Sequence, residues 1–160
     1  MKASRESTTT SLSAEQQVKH LISKFGPKHQ ALIRSARKSL RKRFPSANEL
    51  VYDYSGKLVI GYSPTERGLE AVAAIALGAD GLRLHVSAKL PDPKKILLGS
   101  TGLTRFVWIE SPGTLKRPEV DALLEAARGQ AKPPLRAGGS GQLIIKQKSA
   151  KPRPGRKPKR

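Results

Sequence analysis

The side chains most able to do chemistry in this chain are cations, and they concentrate in two segments. The first runs from Lys28 to Arg43 and contains seven Lys/Arg and no acid. If this segment is helical, five of its cations lie within about 140° of one another, opposite an apolar stripe: Arg34, Arg37, Lys38, Arg41 and Lys42. Like charges at helical spacing repel, so the pattern predicts a surface that binds a polyanion. An ordinary solvated helix face is the alternative that the pattern leaves open.

The second cationic segment is the end of the sequence. Residues 132–160 hold ten Lys/Arg and no acid, with too few large apolar residues to fold alone, which predicts a disordered tail. Its last part is similar to a minor-groove AT-hook, but a proline interrupts the required Arg-Gly-Arg-Pro core, so phosphate contacts without sequence preference are expected. The predicted contacts are Lys151, Arg153, Arg156, Lys157, Lys159 and Arg160. The apolar triplet 143–145 could instead add a short edge strand.

Catalytic and metal-binding patterns are weaker than these cationic ones. The chain has no cysteine, which excludes thiolate nucleophiles and Cys-ligated metals. Its three histidines, His20, His29 and His85, form no i, i+4 pair, as a helical zinc motif would require. The sequence 61–65 departs from the G-x-S-x-G nucleophile elbow at its last position. We therefore predict that the protein is not an enzyme.

Contacts with bases, as opposed to phosphates, find little support in the sequence. Phe106 and Trp108 alternate in a predicted strand, a pattern more typical of a core than of a base-stacking platform. The glycine loop 99–102 lies near several cations but lacks the Gly-Lys-Ser/Thr ending of a phosphate-binding loop, so it predicts a plain turn. The expected partner is DNA or RNA, contacted through charge.

Length and charge distribution predict one folded domain between two polar ends. The chain has 160 residues and a formal net charge of +19, which suits one domain of ordinary size. Residues 44–131 carry ten acids and ten Lys/Arg, so the excess charge lies in the flanking segments. We predict disorder over 1–13, a domain over 14–131 and a basic tail over 132–160. Neither a membrane span nor a secretory signal is evident, so a cytoplasmic protein without membrane contacts is expected.

Periodicity predicts an α+β fold. Three segments with apolar residues at helical spacing begin at typical cap or proline positions: 14–25, 27–43 and 117–128. Five further segments are predicted to be strands, four with apolar and polar residues in alternation and one, 71–77, as a short apolar run: 50–54, 57–62, 71–77, 82–87 and 104–110. In the fourth, Arg83 and His85 should face solvent, and a short helical turn is expected over 92–98. The order predicts a two-layer domain, a mostly antiparallel five-stranded sheet with helices on one face.

Several runs of residues resemble the YdhG-like domain family. They are 44–53 (FPSANELVYD), 58–67 (LVIGYSPTER), 90–93 (LPDP), 97–100 (LLGS) and the closing helix from Pro118, within roughly residues 15–128. The resemblance implies the α+β fold. It also implies membership of a group of small bacterial proteins, one branch of which is described as frataxin-like, intracellular iron chaperones for iron–sulfur cluster assembly.

The resemblance makes iron binding the alternative function. Hard cations need clustered carboxylate oxygens, and the first two predicted helices hold one acid, Glu15, against nine Lys/Arg. The candidate iron ligands are Glu49 and Asp53, which four residues of strand spacing would place on one face. From these counts we expect polyanion binding without a cofactor, and iron binding is the alternative.

Overall fold

Local sequence signals set the ends of three helices in the computed structural model, which describes residues 13–99 and 102–147. Helix α1 (Ala14–Ser23) begins with a capping box, in which Ser13 and Gln16 exchange side chain–backbone hydrogen bonds. Helices α2 (Pro27–Arg43) and α3 (Pro118–Gly129) each begin with a proline. Proline suits this position because a backbone N–H there would have no acceptor within the helix, so its absence costs nothing. The three predicted helices are confirmed. No helix in the described ranges is long and apolar enough to cross a lipid bilayer.

The strands of the described residues form one sheet with the order β5-β4-β3-β2-β1-β6. Its members are β1 (Asn48–Tyr54), β2 (Lys57–Ser63), β3 (Ala73–Gly78), β4 (Gly81–Ser87), β5 (Thr104–Ile109) and β6 (Leu143–Gln147). Consecutive strands from β1 to β5 pair antiparallel, and β6 pairs parallel with β1. Gly56 supplies the positive φ of the β1–β2 turn, a conformation that glycine adopts at low cost. The α+β class and the mostly antiparallel sheet are confirmed.

The two faces of the sheet have different surroundings. One face packs on the helices, and it presents core residues that alternate along the strands, such as Val51, Ile60, Ile75 and Leu84. These four side chains are at most 1% exposed. Positions in between point to the opposite face, which the three helices do not cover because they all pack on the first one. We call this second surface the open face of the sheet.

A sixth strand corrects the predicted sheet of five. Strand β6 comes from the segment expected to be a disordered tail, so the predicted domain end at residue 131 is wrong for the residues up to 147. The physical reason is that β1 would otherwise leave an unpaired edge, whereas β6 supplies backbone partners and packs Leu143 and Ile145 against the core. Residues 1–12 and 148–160, also predicted to be disordered, lie outside the described residues.

The helical turn expected over 92–98 is absent from this part of the described chain. The carboxylate oxygens of Asp92 accept hydrogen bonds from the N–H groups of Ile96 and Leu97, at 2.9 and 3.0 Å. Asp92 therefore stabilises a turn by bonding forward to the backbone, which competes with helix formation.

The segment before β6 passes very close to the start of β1. The Gly141 N–H donates to the Pro45 carbonyl at 3.0 Å, and a Cβ at Gly141 would overlap the Ala47 carbonyl. We expect Gly141→Ala to lower the free energy of unfolding by about 1–3 kcal/mol, because this backbone cannot move apart without breaking the β6 contacts. Urea denaturation measures the loss.

Gly138→Ala is the matched control, because a Cβ there would meet nothing within 4 Å. It should change the free energy of unfolding by no more than about 0.5 kcal/mol. Equal stability of the two variants would contradict the close packing of this segment on β1.

Candidate nucleic-acid interface

Of the five α2 cations predicted to form one basic stripe, Arg37 points into the protein, and the other four are exposed. Arg37 is 8% exposed. Its Nε donates to Glu49 Oε2 at 2.9 Å and its Nη2 donates to Glu49 Oε1 at 3.1 Å. Such a two-pronged pair satisfies both carboxylate oxygens. The prediction that Arg37 belongs to the polyanion-binding surface is therefore wrong, because it lies at the margin of the stripe next to the apolar side.

Further hydrogen bonds extend this pair into a network. The Tyr62 hydroxyl donates to Glu49 Oε2 at 2.6 Å. At the outer end, Glu15 Oε2 accepts from Arg37 at 3.1 Å and from Arg41 at 3.2 Å. Burial raises the pKa of Tyr62 well above its ordinary value, and the charge of Glu49 raises it further, so Tyr62 stays protonated and donates. We call Glu15, Arg37, Glu49 and Tyr62 the buried network.

Sequence reasoning missed the buried network because its members are far apart along the chain. The acids that pair with Arg37 come from α1 and from β1, whereas a helix-by-helix count finds no acid on α2 itself. One signal was available. Glu49 and Val51 are two residues apart in a strand and must share a face, so Glu49 points toward the core and needs a cationic partner there.

Four cations of the predicted stripe are exposed and form the α2 basic surface: Arg34, Lys38, Arg41 and Lys42. Lys38 and Lys42 make no ion pair within the described residues. Arg34 donates to the side chain of Gln30 at 3.0 Å. Arg41 is 52% exposed but shares Glu15 with Arg37, so part of its charge is neutralised. The predicted contacts of the tail, from Lys151 onward, lie outside the described residues.

Arg43 is neutralised at the end of α2. Its guanidinium contacts Asp121 and donates to Glu125 at 2.8 Å, and both acids belong to α3. In return, Arg128 of α3 donates to the Arg43 carbonyl at 2.6 Å. These bonds fasten α2 to α3, and they assign Arg43 to the contact between the helices.

The candidate iron ligands do not form a free carboxylate pair. Both oxygens of Glu49 accept hydrogen bonds from Arg37, and one also accepts from Tyr62. Within the described residues, no group of three or more His, Asp or Glu side chains is placed to hold a metal ion. The expected pairing of Glu49 with Asp53 would require the ion pair with Arg37 to break.

Phe106 and Trp108 lie on the open face and not in the core, which corrects the sequence-based expectation. Val107 and Ile109 occupy the core positions of β5, so the two aromatic side chains point the other way and are half-buried. Their rings meet edge to face with centroids 5.5 Å apart. The register places Arg83 opposite Trp108 and His85 opposite Phe106.

Cations surround these aromatic rings. The Arg83 guanidinium carbon lies 4.4 Å from the Phe106 ring centroid and 5.0 Å from that of Trp108, within the range of cation–π attraction. Burial, together with the charges of Arg83 and Lys57, lowers the pKa of His85, so its ring is neutral at pH 7. The predicted solvent-facing orientation of Arg83 and His85 agrees with this placement on the open face.

Removing the arginine of the buried network should be costly. In Arg37→Met, the buried Glu49 carboxylate loses both hydrogen bonds from the guanidinium and keeps only the longer ion pair with Arg41, at 3.5 Å. We therefore expect a loss of about 3–5 kcal/mol in the free energy of unfolding. Lys38→Met is the matched control on the same helix, and it should change stability by no more than about 0.5 kcal/mol.

A combined variant tests whether the cost comes from unpaired charge. Arg37→Met with Glu49→Gln removes both charges and should recover part of the lost stability in urea denaturation. Similar stabilities for Arg37→Met and Lys38→Met would contradict the buried position of Arg37.

The outer carboxylate of the network should make stability depend on pH. Burial opposes ionisation of Glu15, but the hydrogen bonds and charges of Arg37 and Arg41 outweigh it and hold the pKa of Glu15 below its ordinary value of 4.5. Its stabilisation is therefore complete above pH 4.5 and is lost as the pH falls through the lowered pKa. At pH 7, the free energy of unfolding of Glu15→Gln should be lower than that of wild type by about 1 kcal/mol or less.

Urea midpoints between pH 3 and 7 measure this difference, which should shrink on acidification. Glu66→Gln is the control, an exposed glutamate without an ion pair in the described residues. A gap between wild type and Glu15→Gln that stays constant down to pH 3 would refute the assignment.

Comparison of the chain with protein-family models, with curated proteins and with solved structures finds no match. The resemblance to YdhG-like domains stays a prediction.

Proposed function

We propose that the protein binds nucleic acid through charge, with the α2 basic surface and the cations of residues 148–160 contacting phosphates. The observation that carries this proposal is the division of the α2 cations into two groups. Arg37 and Arg43, which are turned toward the protein, are paired with acids from α1, β1 and α3. Lys38 and Lys42, which face outward, have no acidic partner in the described residues.

This division bears on function because the acids near α2 already pair with the inward arginines and do not neutralise the outward lysines. Glu15 and Glu49 accept from Arg37, while Asp121 and Glu125 contact Arg43. A face whose only purpose is solvation usually mixes the two signs, since unrelieved like charges weaken a helix by a few tenths of a kcal/mol per pair. A bound polyanion would relieve the repulsion between the outward cations.

The spacing of the outward cations suits an extended phosphate backbone. Arg34, Lys38 and Lys42 follow one another at intervals of four residues, so they lie along one side of α2. At 1.5 Å per residue they span about 12 Å, which corresponds to several phosphate charges of a nucleic acid. Contacts of this kind position a protein on a backbone without reading the sequence.

Salt dependence tests the proposal directly. If the α2 basic surface and residues 148–160 engage about six phosphates, the log–log slope of affinity against salt is near −5. Affinity for DNA should then fall about a thousandfold between 50 and 200 mM salt. Truncation after Gln147 should make the slope less negative by about one unit for each phosphate contact removed. Fluorescence anisotropy of a labelled duplex measures both effects.

Two charge-matched double variants locate the surface. Lys38→Glu with Lys42→Glu should weaken binding to all DNA sequences alike, by about tenfold or more at 100 mM salt. Lys94→Glu with Lys116→Glu changes the net charge equally at exposed positions outside α2 and should have a smaller effect. Equal losses in the two proteins would contradict the α2 basic surface. Binding that is insensitive to salt, or absent at 50 mM salt, would contradict the proposed function.

A further inference from the structure

We infer that the open face of the sheet binds the bases of single-stranded nucleic acid by stacking. This surface is separate from the α2 basic surface, because the helices pack on the opposite face of the sheet. The inference goes beyond the proposed function in naming a second site and a ligand class. It rests on the arrangement of aromatic, small and cationic side chains on the open face.

The strand register places aromatic side chains at both sides of the open face and small ones between them. One row across the sheet consists of Tyr52, Val59, Ala76, Arg83 and Trp108. The next consists of Leu50, Gly61, Ala74, His85 and Phe106. With strands about 4.8 Å apart, the row from β1 to β5 is about 19 Å wide. Leu50 is fully buried and Gly61 lies close to Ala71, so the accessible floor on which flat groups can lie is around Val59 and Ala74, which are partly exposed.

The rings at the β5 side are accompanied by a planar cation. Arg83 holds its guanidinium over Phe106 and Trp108, at 4.4 and 5.0 Å from the ring centroids. A guanidinium plane and aromatic rings are the two kinds of surface on which unstacked bases are bound in proteins. Arg83 is 34% exposed, and its ion pair with Asp80 is long, at 3.6 Å, with Asp80 73% exposed. The ion pair with Asp80 is therefore weak and does not hold Arg83 away from a phosphate.

At the β1 side, Tyr52 and Tyr54 lie parallel, with ring centroids 6.2 Å apart and an interplanar angle of 4°. Tyr54 is 39% exposed. Beside it, Lys57 is exposed on the same face, because the two residues are partners in the β1–β2 register. The β1 side of the open face thus combines aromatic rings with a cation, as the β5 side does.

Charge favours an anionic occupant over an apolar one, and the aromatic rings favour an anion that also carries flat bases. The open-face positions of the described strands include Lys57 and Arg83 but no carboxylate. Strand β6 ends at Gln147, which pairs with Tyr52 of β1. The residues that follow, 148–160, contain seven Lys/Arg and no acid. Phosphates between the stacked bases would meet Lys57 and Arg83.

A single strand fits this surface better than a duplex does. Bases in a duplex are stacked on one another, so their flat surfaces cannot reach a floor of side chains, whereas a single strand can splay its bases. The segment 64–72 covers one end of the face, where Ala71 lies close to Gly61 and Gly68 lies against the Tyr52 hydroxyl. The floor between Tyr54 and Trp108 is the part that a strand can reach.

Trp108 makes the inference directly measurable, because it is the only tryptophan of the chain. The probe is an oligothymidylate of about twelve nucleotides, and a duplex of equal length is the comparison. We expect the oligothymidylate to quench Trp108 fluorescence, including at about 300 mM salt, where purely electrostatic binding is weak. The duplex should quench it little.

Substitutions on the open face give the second measurement. Phe106→Ala and Arg83→Ala should each weaken oligothymidylate binding about fivefold or more in anisotropy titrations, and leave duplex binding unchanged. Arg117→Ala is the control, an exposed arginine ahead of α3. Arg83→Met keeps most of the apolar stem of the side chain and should show the same loss if Arg83→Ala proves unstable.

The outcomes separate this inference from the proposed function. No quenching of Trp108, or equal oligothymidylate affinity in Phe106→Ala and Arg117→Ala, would overturn the stacking site even if salt-dependent duplex binding is present. Conversely, Trp108 quenching that persists in Lys38→Glu with Lys42→Glu, without salt-dependent duplex binding, would support the stacking site and contradict the proposed function.

Discussion

The buried ion pair between Arg37 and Glu49 is the constraint on which the rest of the arrangement depends. Two charges inside a protein are unfavourable unless their hydrogen bonds are complete, and here Tyr62 and Glu15 complete them. The pair joins α2 to β1, and Tyr62 extends the connection to β2. Because Arg37 must point inward, the neighbouring Lys38 is turned to the outside. The orientation of the α2 basic surface thus follows from a contact in the interior.

The packing of the helices also decides what the sheet can offer. All three helices of the described chain share their core with one face of the sheet. The open face keeps residues that satisfy strand geometry without needing full burial, such as Tyr54 and Trp108. Rings that are half-buried retain a surface for stacking, while the strand backbone beneath them holds their positions. A rigid layer of this kind can present aromatic side chains at low entropic cost.

The two proposed surfaces would recognise different parts of a nucleotide. Lysines on a helix interact with phosphate charge at a distance and are sensitive to salt, whereas aromatic rings require contact and exclude water. Strand β6 lies at the edge of the sheet beside β1, and residues 148–160, which include seven Lys/Arg, follow it in the sequence.

Local sequence signals were enough to locate the helices, most of the strands and the distribution of charge. Caps and periodicity located α1, α2, α3 and the strands β1 to β5, because these signals act between residues a few positions apart. Three features depend instead on long-range packing: Arg37 is buried, Phe106 and Trp108 lie outside the core, and residues 143–147 complete the sheet. Each of these outcomes depends on a partner distant in sequence, such as Glu49 for Arg37 or β1 for β6. A pattern within one segment cannot contain the position of such a partner, because packing alone brings the two together.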